Sequence, residues 1–367
     1  MDITELLSFA HREGASDVHL SSGEPVRLRI HGDMKRLEQP PLTQEQVHDM
    51  VFDIMSDMMR KVFIETHEAD FSFELGNVAR FRVNVFRTRR GEAAVFRLIP
   101  SKVMTFEELG LPSILKDICN KEKGLVLVTG PTGSGKSTTL AAMIDYINEK
   151  DPCHILTIED PIEFVHQSKK CLVNQRELGP HTLSFSNALR SALREDPDVV
   201  LVGEMRDLET ISLALTAAET GHLVFATLHT SSAPKTVDRI IDVFPAAQQE
   251  QIRIMFSESI QAVITQTLLK KRSGGRIAAL EILMGTAAVR NLIREGKVHQ
   301  LPSVMQTGQK FGMQTLDMAL IDLVQRNMVT PEEAMSRTLT PNLFDRPDAA
   351  GIQRGGGPGQ RPMGRPG

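Results

Sequence analysis

The chain has 367 residues and a formal net charge of −4, with 41% hydrophobic and 24% charged residues. This length predicts about two domains, and the composition allows each a sizeable core. Aromatic residues make up only 5%, so charge and base-stacking capacity both argue against a protein that coats nucleic acid.

The cysteine and hydropathy patterns predict a cytoplasmic protein. Cys119, Cys153 and Cys171 are scattered and form no CxxC pair, so neither a structural zinc site nor a disulfide framework is predicted. No run approaches the ~18 apolar residues of a membrane-spanning helix, and the N-terminus lacks the apolar segment of a signal peptide. Any role at a membrane is therefore expected to run through a partner.

Residues 1–100 predict a small α+β domain built on an antiparallel sheet. An amphipathic helix comes first, with Ile3 and Leu7 on its apolar face. Thr43 and Gln46 form a capping-box pattern at the start of a second helix, predicted over residues 43–66. Alternating apolar and polar residues predict strands at 26–31, 71–75, 80–90 and 93–100, the last two joined in a hairpin.

Residues 101–113 predict an interdomain linker, and the pattern changes after it. Apolar runs typical of buried parallel strands lie at 124–130, 154–160, 199–204 and 223–229, with helical segments at 136–149, 184–195 and 207–220. Further helices are predicted at 247–272, 286–295, 313–328 and from Thr330 onwards. A second, α/β domain with a mostly parallel sheet is therefore expected over 114–345, and a disordered Gly-, Pro- and Arg-rich tail over 346–367.

The strongest chemical signal is the segment 130–138, which reads GPTGSGKST. It fits the P-loop pattern GxxxxGK followed by Ser or Thr, and it lies between an apolar strand and a helix, as a P-loop must. Lys136 is expected at the β and γ phosphates and Ser137 at Mg²⁺, with the helix N-terminus facing the anion. The residues predicted to bind the nucleotide here are Thr132, Gly133, Ser134, Gly135, Lys136, Ser137 and Thr138.

Charged or polar side chains follow the other predicted parallel strands. Glu159 and Glu163 follow the second strand, Glu204 the third and His229 the fourth. Ligands bind at the carboxyl ends of the strands in an open α/β sheet, so these side chains are expected to converge on one nucleotide with Lys136. Glu204 is predicted to activate or position water, with Glu159 and Glu204 as metal ligands and Glu163 in support. For each residue alone, a charged group that simply ends a strand is an equally good interpretation.

Four segments in order resemble the secretion-ATPase superfamily, the hexameric motors of type IV pili and type II secretion. GPTGSGKSTTL is similar to its Walker A motif, ILTIEDPIEF to its Asp box, LRSALREDPDVVLVGEMRD to its Walker B region and TGHLVFATLHT to its His box. Gly203 stands at the usual aspartate position of the Walker B region. The resemblance covers residues 1–345, the whole chain apart from its tail.

Within the superfamily, the chain looks like the retraction ATPases of type IV pili. Its N-terminal domain is short, and it lacks the tetracysteine zinc loop typical of pilus-assembly and type II secretion ATPases. Residues 288–296, AVRNLIREG, resemble the AIRxxIREGK motif associated with retraction, with Val289 as a conservative departure. Without the family, the same segment would be interpreted as an amphipathic surface helix.

The resemblance implies a PAS-like N-terminal domain, a RecA-like ATPase domain, a homohexamer, and ATP with Mg²⁺ bound between the two domains. It implies that Arg82 and Arg97 are arginine fingers on strands of the N-terminal domain, and that His229 senses the γ-phosphate. It adds three further candidates for nucleotide or subunit contacts, namely Arg190, Arg194 and His222. The two arginines of this set are four residues apart and are predicted to share a helix face, where ordinary solvated side chains are an equally good interpretation.

The partners implied by the resemblance are an inner-membrane pilus platform protein and, indirectly, pilin. The motor is accordingly expected in the cytoplasm at the base of the pilus, and its predicted function is ATP hydrolysis that drives pilin disassembly, pilus retraction and twitching motility. Two alternatives stay open: an accessory retraction or secretion motor, and a nucleotide-dependent scaffold that does not hydrolyse ATP. Intact Lys136 and Glu204 argue against the scaffold, and charge and aromatic content argue against a nucleic-acid translocase.

Overall fold

The computed structural model describes residues 2–30, 32–76, 78–99, 102–338, 340 and 343–345. The chain forms two compact units: an N-terminal unit, Met1–Val103 with Glu159–Gln167, and a P-loop unit, Met104–Ile158 with Ser168–Gly367. The segment Glu159–Gln167 lies inside the predicted second domain in sequence but packs with the N-terminal unit, which no sequence pattern indicates. The tail predicted to be disordered, residues 346–367, lies outside the described residues.

The N-terminal unit is built on a six-stranded antiparallel sheet with the strand order β3-β2-β1-β6-β5-β4. The apolar face predicted for the first helix is confirmed, because Ile3, Leu6, Leu7 and Ala10 are all buried. The elements of this unit are α1 (Ile3–Arg12), β1 (Ala15–Ser21), β2 (Arg27–Ile30), β3 (Asp33–Arg36), α2 (Gln44–Phe52), α3 (Asp57–Thr66), β4 (Glu68–Leu75), β5 (Ala79–Thr88) and β6 (Gly91–Ile99).

Three features of the N-terminal unit differ from the sequence prediction, namely the second helix and the strands β1 and β3, which were not predicted. The capping box of Thr43 and Gln46 is confirmed, but the single helix over 43–66 is wrong, because α2 ends at Phe52. Ser56 is extended, with ψ of 159°, and its side chain accepts a hydrogen bond from the Met59 N–H to start α3. Strand β3 was not predicted, since all four of its residues are exposed and no apolar residue alternates along it in the pattern of a half-buried strand.

The P-loop unit is an α/β structure around a seven-stranded sheet with the order β13-β12-β7-β11-β10-β8-β9. Its strands are β7 (Gly124–Thr129), β8 (His154–Glu159), β9 (Leu172–Glu177), β10 (Val199–Val202), β11 (Leu223–Leu228), β12 (Ile260–Lys270) and β13 (Arg276–Met284). Its helices are α4 (Phe106–Leu109), α5 (Ile114–Cys119), α6 (Lys136–Lys150), α7 (Phe185–Ala192), α8 (Leu208–Glu219), α9 (Ala233–Asp242), α10 (Ala246–Ser259), α11 (Ala287–Arg294), α12 (Leu301–Thr307), α13 (Leu316–Gln325) and α14 (Pro331–Met335).

The four apolar runs predicted as parallel strands are confirmed as β7, β8, β10 and β11. They pair in parallel, and β7, β10 and β11 are buried at every residue. The helix predicted over 247–272 is wrong, because α10 ends at Ser259 and β12 follows as a strand paired with β7 and β13. An apolar run of this length does not distinguish a buried strand from a buried helix, so β12 was misassigned.

Strands β9 and β13 were not predicted, and the predicted linker contains α4. In the described part of the chain, every helix is too short or too polar to cross a membrane.

The segment that resembles the retraction motif forms α11, and its two arginines have different surroundings. Arg290 donates from Nε to the Gly285 carbonyl (2.8 Å) and from Nη1 to the carbonyls of Ser257 (3.0 Å) and Glu258 at the end of α10. It therefore satisfies backbone acceptors that the helix leaves unpaired at its C-terminus. Arg294 is exposed, and its Nη2 lies 3.9 Å from a carboxylate oxygen of Glu258.

Replacing Arg290 with Ala is expected to destabilise the protein by about 1–2 kcal/mol, because carbonyls at the junction of α10 and β12 lose their donor. Arg294→Ala removes an equal charge from the same helix at an exposed position and should change the free energy of unfolding little. Chemical denaturation of both variants measures the difference. Equal stability of the two would show that the Arg290 hydrogen bonds do not hold this junction.

Candidate nucleotide-binding site

The parallel register of the P-loop unit places the ends of three strands, β7, β10 and β11, at the same edge of the sheet. Thr129 of β7 lies opposite Leu228 of β11, and Val202 of β10 lies opposite Ala226. The segments that follow these strands therefore begin side by side at the carboxyl edge, where α/β sheets bind ligands. They carry the P-loop, Glu204 and His229.

The P-loop is the turn between β7 and α6. Gly133 and Gly135 have positive φ angles of 76° and 90°, a region that side chains other than glycine rarely adopt. A Cβ atom on Gly135 would also lie 2.7 Å from Nε2 of Gln266. The loop is therefore compact, and it ends at Lys136, the first residue of α6, so that the N–H groups of the first helical turn face the loop.

Gln266 of β12 fixes this turn through two hydrogen bonds, and it was not predicted as part of the site. The side chain is only 3% exposed. Its Nε2 donates to the Ser134 carbonyl (2.8 Å), and its Oε1 accepts from the Thr139 hydroxyl of α6 (2.8 Å). One amide thus ties the loop to the helix that follows it. The available signal was a glutamine inside an apolar run, a residue that rarely stays buried without partners.

Lys136, His229 and Glu204 meet at the sheet edge, as the sequence predicts. The Lys136 Nζ donates to the carbonyls of Gly130 (2.9 Å) and Pro131 (3.2 Å) and lies 3.5 Å from His229 Nδ1. On the other side of the ring, His229 Nε2 lies 3.0 Å from Glu204 Oε1. The histidine therefore lies between the lysine predicted to bind phosphate and the predicted catalytic carboxylate.

Arg206 binds the second oxygen of Glu204 and was not predicted as part of the site. Its Nη2 lies 2.6 Å from Glu204 Oε2, and its Nε donates to the same oxygen (2.7 Å). Burial favours the neutral carboxyl, but the Arg206 hydrogen bonds and the charges of Arg206, His229 and Lys136 outweigh it and lower the pKa of Glu204. The group is accordingly a carboxylate at neutral pH.

The donors at the P-loop fit Mg²⁺ in the manner of a P-loop site. Within the described residues, no cluster of three or more His, Cys, Asp or Glu side chains could hold a metal alone. Ser137 lies in the first turn of α6 with a partly exposed side chain, so its hydroxyl is accessible to an ion at the phosphates. A hydroxyl, phosphate oxygens and water are the hard oxygen ligands that Mg²⁺ prefers.

Four predicted site residues, Glu159, Glu163, Arg82 and Arg97, belong to the N-terminal unit. Glu159 ends β8 and, like Glu163, belongs to the segment that packs with this unit. Arg82 lies on β5 and pairs with Asp70 (Nη2–Oδ2, 2.6 Å). That hydrogen bond raises the pKa of Arg82, and the charges of Asp160 and Glu163 add to it. Glu163 is thus electrostatically connected with a predicted arginine finger.

Arg97 lies directly opposite Arg82 across β5 and β6. Its Nε donates to Oδ1 of Asp17 (2.9 Å), a residue that is only 6% exposed, whereas the Arg97 side chain is largely exposed. Each predicted arginine finger is therefore paired with a carboxylate of its own subunit. Their action on a nucleotide stays a prediction.

The remaining three candidates lie elsewhere. His222 precedes β11 and its carbonyl accepts from the Gly124 N–H, at the amino edge of the sheet. A six-residue strand separates it from the P-loop by roughly 20 Å, so His222 does not reach the nucleotide site of its own chain. Arg190 pairs with Glu209 of α8. The prediction that Arg190 and Arg194 share a helix face is wrong, because α7 ends at Ala192 and Arg194 lies in the turn after it.

Replacing Gln266 with Leu is expected to weaken nucleotide binding about tenfold, because the Ser134 carbonyl loses its buried donor and the loop loses its tie to α6. Gln261→Leu is the matched control, since Gln261 donates to the Lys123 carbonyl (2.8 Å) from the other end of the same strand. Titration with a fluorescent ADP analogue measures both affinities. An affinity of Gln266→Leu equal to that of the control would rule out this role for the glutamine.

Comparisons with known proteins show which family the chain resembles. A family model described as type II/IV secretion system protein matches residues 1–335. Over 344 residues the chain is 63% identical to the "Type IV pilus retractation ATPase PilT" of Pseudomonas aeruginosa, covering 94% of this chain and 100% of that protein. It is 65% identical over 311 residues to a "Twitching motility protein" of Neisseria gonorrhoeae, covering 84% of this chain and 83% of that one.

A solved structure extends the agreement to the fold. The crystal structure of the pilus retraction motor PilT with bound ADP matches with a TM-score of 0.88 at 50% identity, covering 93% of this chain and 98% of that one. The P-loop, the strand order and the carboxylate and histidine beside Lys136 are thus found in a chain whose relatives are named as ATPases. The chain belongs to the family of type II/IV secretion system proteins.

Proposed function

We propose that this chain is the ATPase motor of type IV pilus retraction, which hydrolyses ATP to drive pilin disassembly and twitching motility. The observation that carries the proposal is the line of contacts from Lys136 through His229 to Glu204 at the mouth of the P-loop. The names of its relatives, a pilus retraction ATPase and a twitching motility protein, supply the mechanical task.

Phosphates bind to the N–H groups of residues 133–138 and to Lys136. The lysine now donates to two P-loop carbonyls, and a nucleotide replaces those acceptors with phosphate oxygens of higher charge. Ser137 would hold Mg²⁺ with Glu159 and Glu204 as the further residues for the ion, and Mg²⁺ would supply charge neutralisation at the transferring phosphoryl group. Thr132 and Thr138 complete the set of residues at the loop.

Glu204 orients the attacking water. A carboxylate with a lowered pKa is a weak proton acceptor, so the arrangement with Arg206 favours water positioning over free general-base action. Removal of Arg206 from Oε2 would make Glu204 more basic. His229 touches both Glu204 and Lys136, and it therefore responds when a γ-phosphate takes the lysine.

The motor acts as a homohexamer in which Arg82 or Arg97 reaches the nucleotide of a neighbouring subunit. Either guanidinium exchanges its own carboxylate for the γ-phosphate, where it stabilises the charge of the transition state. His222 lies at the amino edge of the sheet and fits a subunit contact better than a phosphate contact, and Arg190 and Arg194 are proposed for nucleotide or subunit contacts. The N-terminal unit is PAS-like and the P-loop unit RecA-like in this proposal.

The load is pilin, reached through a platform protein of the inner membrane. The motor works from the cytoplasm at the base of the pilus. An accessory retraction motor or a secretion motor would share the whole site, and a deletion strain separates them: this chain alone should restore twitching when the main retraction ATPase is missing.

Glu204→Gln is expected to bind nucleotide normally and to hydrolyse ATP about 10²–10⁴-fold more slowly, because the amide keeps the shape but loses the charged acceptor that orients the attacking water. Glu219→Gln, a carboxylate near the end of α8 at the amino edge of the sheet, is the control and should retain full turnover. Phosphate release and twitching of a complemented deletion strain give the two readouts. Wild-type turnover in Glu204→Gln would remove the residue from the catalytic role, and no phosphate release by the wild-type chain would favour the scaffold.

Mixed rings test whether the arginine acts between subunits. Glu204→Gln and Arg97→Ala subunits are each expected to be inactive, since transition-state charge stabilisation by an arginine finger is worth ~10³–10⁵ in rate. Rings assembled from both contain interfaces that join an intact Glu204 to an intact Arg97, so the mixture should exceed either parent in specific activity. Activity that stays at the parental level at every mixing ratio, with co-assembly shown, would place Arg97 in its own subunit's site or in a structural role.

A further inference from the structure

Glu281 of β13 lies in the row of residues that carries the nucleotide site. It is opposite Thr265 of β12, which is opposite Thr129 of β7, which is opposite Leu228 of β11. The hydroxyls of Thr129 and Thr265 lie 2.8 Å apart within this row. Gly130 of the P-loop and His229 come directly after two of its members, so Glu281 sits at the same sheet edge as both.

The half-buried Glu281 side chain binds the first residue of helix α9. Its Oε1 accepts from the Ala233 N–H at the start of α9 (2.6 Å). Burial and the nearby Asp317 of α13 raise the pKa of Glu281, and the hydrogen bond from Ala233 and the nearby Leu316 N–H oppose the shift. The carboxylate thus ties β13 to the start of α9, close to the first residues of α13.

The contact with Ala233 completes the first turn of α9. Lys235 N–H is satisfied by the Ser232 hydroxyl (3.3 Å) and Thr236 N–H by the Ser232 carbonyl (3.0 Å), while Pro234 has no N–H to satisfy. The Ala233 N–H is therefore the donor of this turn that bonds outside the helix, and Glu281 accepts its hydrogen bond. Without the carboxylate, a buried N–H would lose its partner.

Residues 229–232 form the short loop between β11 and α9, and it is tied to that first turn. The Thr230 and Thr236 hydroxyls lie 2.7 Å apart, and Thr236 also donates to the Ser232 carbonyl (2.8 Å). His229 is the first residue of this loop. The position of the His229 ring is thus set from two ends. β11 fixes the start of the loop, and Glu281 fixes its end through the first turn of α9.

Packing alone does not fix this loop. A cavity of about 240 Å³ is lined by residues of the P-loop, the 229–232 loop, β12, β13 and the C-terminal helices, namely Pro131, Ser231, Gln266, Glu281, Leu316 and Arg337 among others. Open space beside Ser231 leaves the loop fewer van der Waals contacts than a packed core would give. A hydrogen bond at the far end of the loop then carries more of the positioning.

We propose that Glu281 is a positioning residue for ATP hydrolysis, which holds the His229 loop against Glu204 and Lys136. This inference rests on the proposed ATPase function. It connects strand β13 with the nucleotide site, because the carboxylate on β13 sets the start of α9 and thereby the position of the histidine.

The first test replaces Glu281 with Leu, because the amide oxygen of Gln would still accept from the Ala233 N–H. Turnover should fall about 10- to 100-fold, since misplacement of a reacting group by ~1 Å costs up to ~10²-fold. Affinity for a fluorescent ADP analogue should stay near that of wild type, because Lys136 and Gln266 keep their contacts. The matched control is Glu333→Leu: Glu333 also accepts a backbone N–H, from Lys270 (3.0 Å), but binds no part of the 229–232 loop. It should retain full turnover.

The second test asks whether Glu281 acts through His229. In a His229→Ala background, Glu281→Leu should cause no further loss, because the group that it positions is already absent. An equal loss in both backgrounds, a full turnover of Glu281→Leu, or a normal turnover of His229→Ala beside a slow Glu281→Leu would each overturn the proposal. No hydrolysis by the wild-type chain would instead reject the proposed function.

A shortened carboxylate protects the test from misfolding. Glu281→Asp keeps the negative charge beside the two helix N-termini but draws it back by one methylene, so its melting temperature should stay closer to wild type than that of Glu281→Leu. It should show the same fall in turnover at unchanged ADP affinity. Full activity of a folded Glu281→Asp variant would show that the hydrogen bond to Ala233 does not position the histidine.

Discussion

Parallel pairing with a fixed register is the constraint on which the nucleotide site depends. Thr129 lies opposite Leu228, so the P-loop and His229 begin at the same height of the sheet. β10 ends at Val202, opposite Ala226, and Glu204 is therefore level with the end of β11, from where it reaches His229. A shift of one residue between β10 and β11 would turn each side chain to the other face and move Glu204 away from the histidine.

That register is held by polar groups, because the strands themselves have no polar face. β7, β10 and β11 are buried throughout, and an apolar strand packs nearly as well when it slips. The Thr129–Thr265 pair and the hydrogen bond from the Thr227 hydroxyl to the Gly203 carbonyl are satisfied in one register only. An unpaired buried hydroxyl or carbonyl costs about 1–3 kcal/mol, which is enough to exclude the neighbouring alignments.

The sequence predicts the parts of the site that local patterns encode, and it misses the parts that long-range contacts create. The P-loop, Glu204 and His229 follow apolar strands, and their type and place are written in a few consecutive residues. Gln266 binds Ser134 across 132 positions of sequence. Arg206 is a neighbour of Glu204 in sequence, but no local pattern shows that its guanidinium turns back to the carboxylate. Strand β12 was mistaken for helix for a related reason: being buried on most of its length, it shows no alternation, and only its pairing with β7 and β13 identifies it.

Arg82 and Arg97 of the N-terminal unit each form an ion pair with a carboxylate of the same subunit. These ion pairs are compatible with the proposed action of the arginines on the nucleotide of another subunit. Arg82 and Asp70 are both about half exposed, and such pairs contribute only ~0–1 kcal/mol, so exchange for a phosphate costs little. If Arg97 exchanged its carboxylate for a phosphate, the nearly buried Asp17 would keep a second cation beside it. The Nε of Arg29 lies 3.8 Å from Asp17 Oδ2, so Asp17 would not become an unpaired buried charge. Since Arg82 and Arg97 face each other across two strands, their carboxylates also separate like charges. A phosphate with several negative oxygens would offer both arginines the same relief, so the ion pairs are compatible with the proposed action of these arginines on a nucleotide.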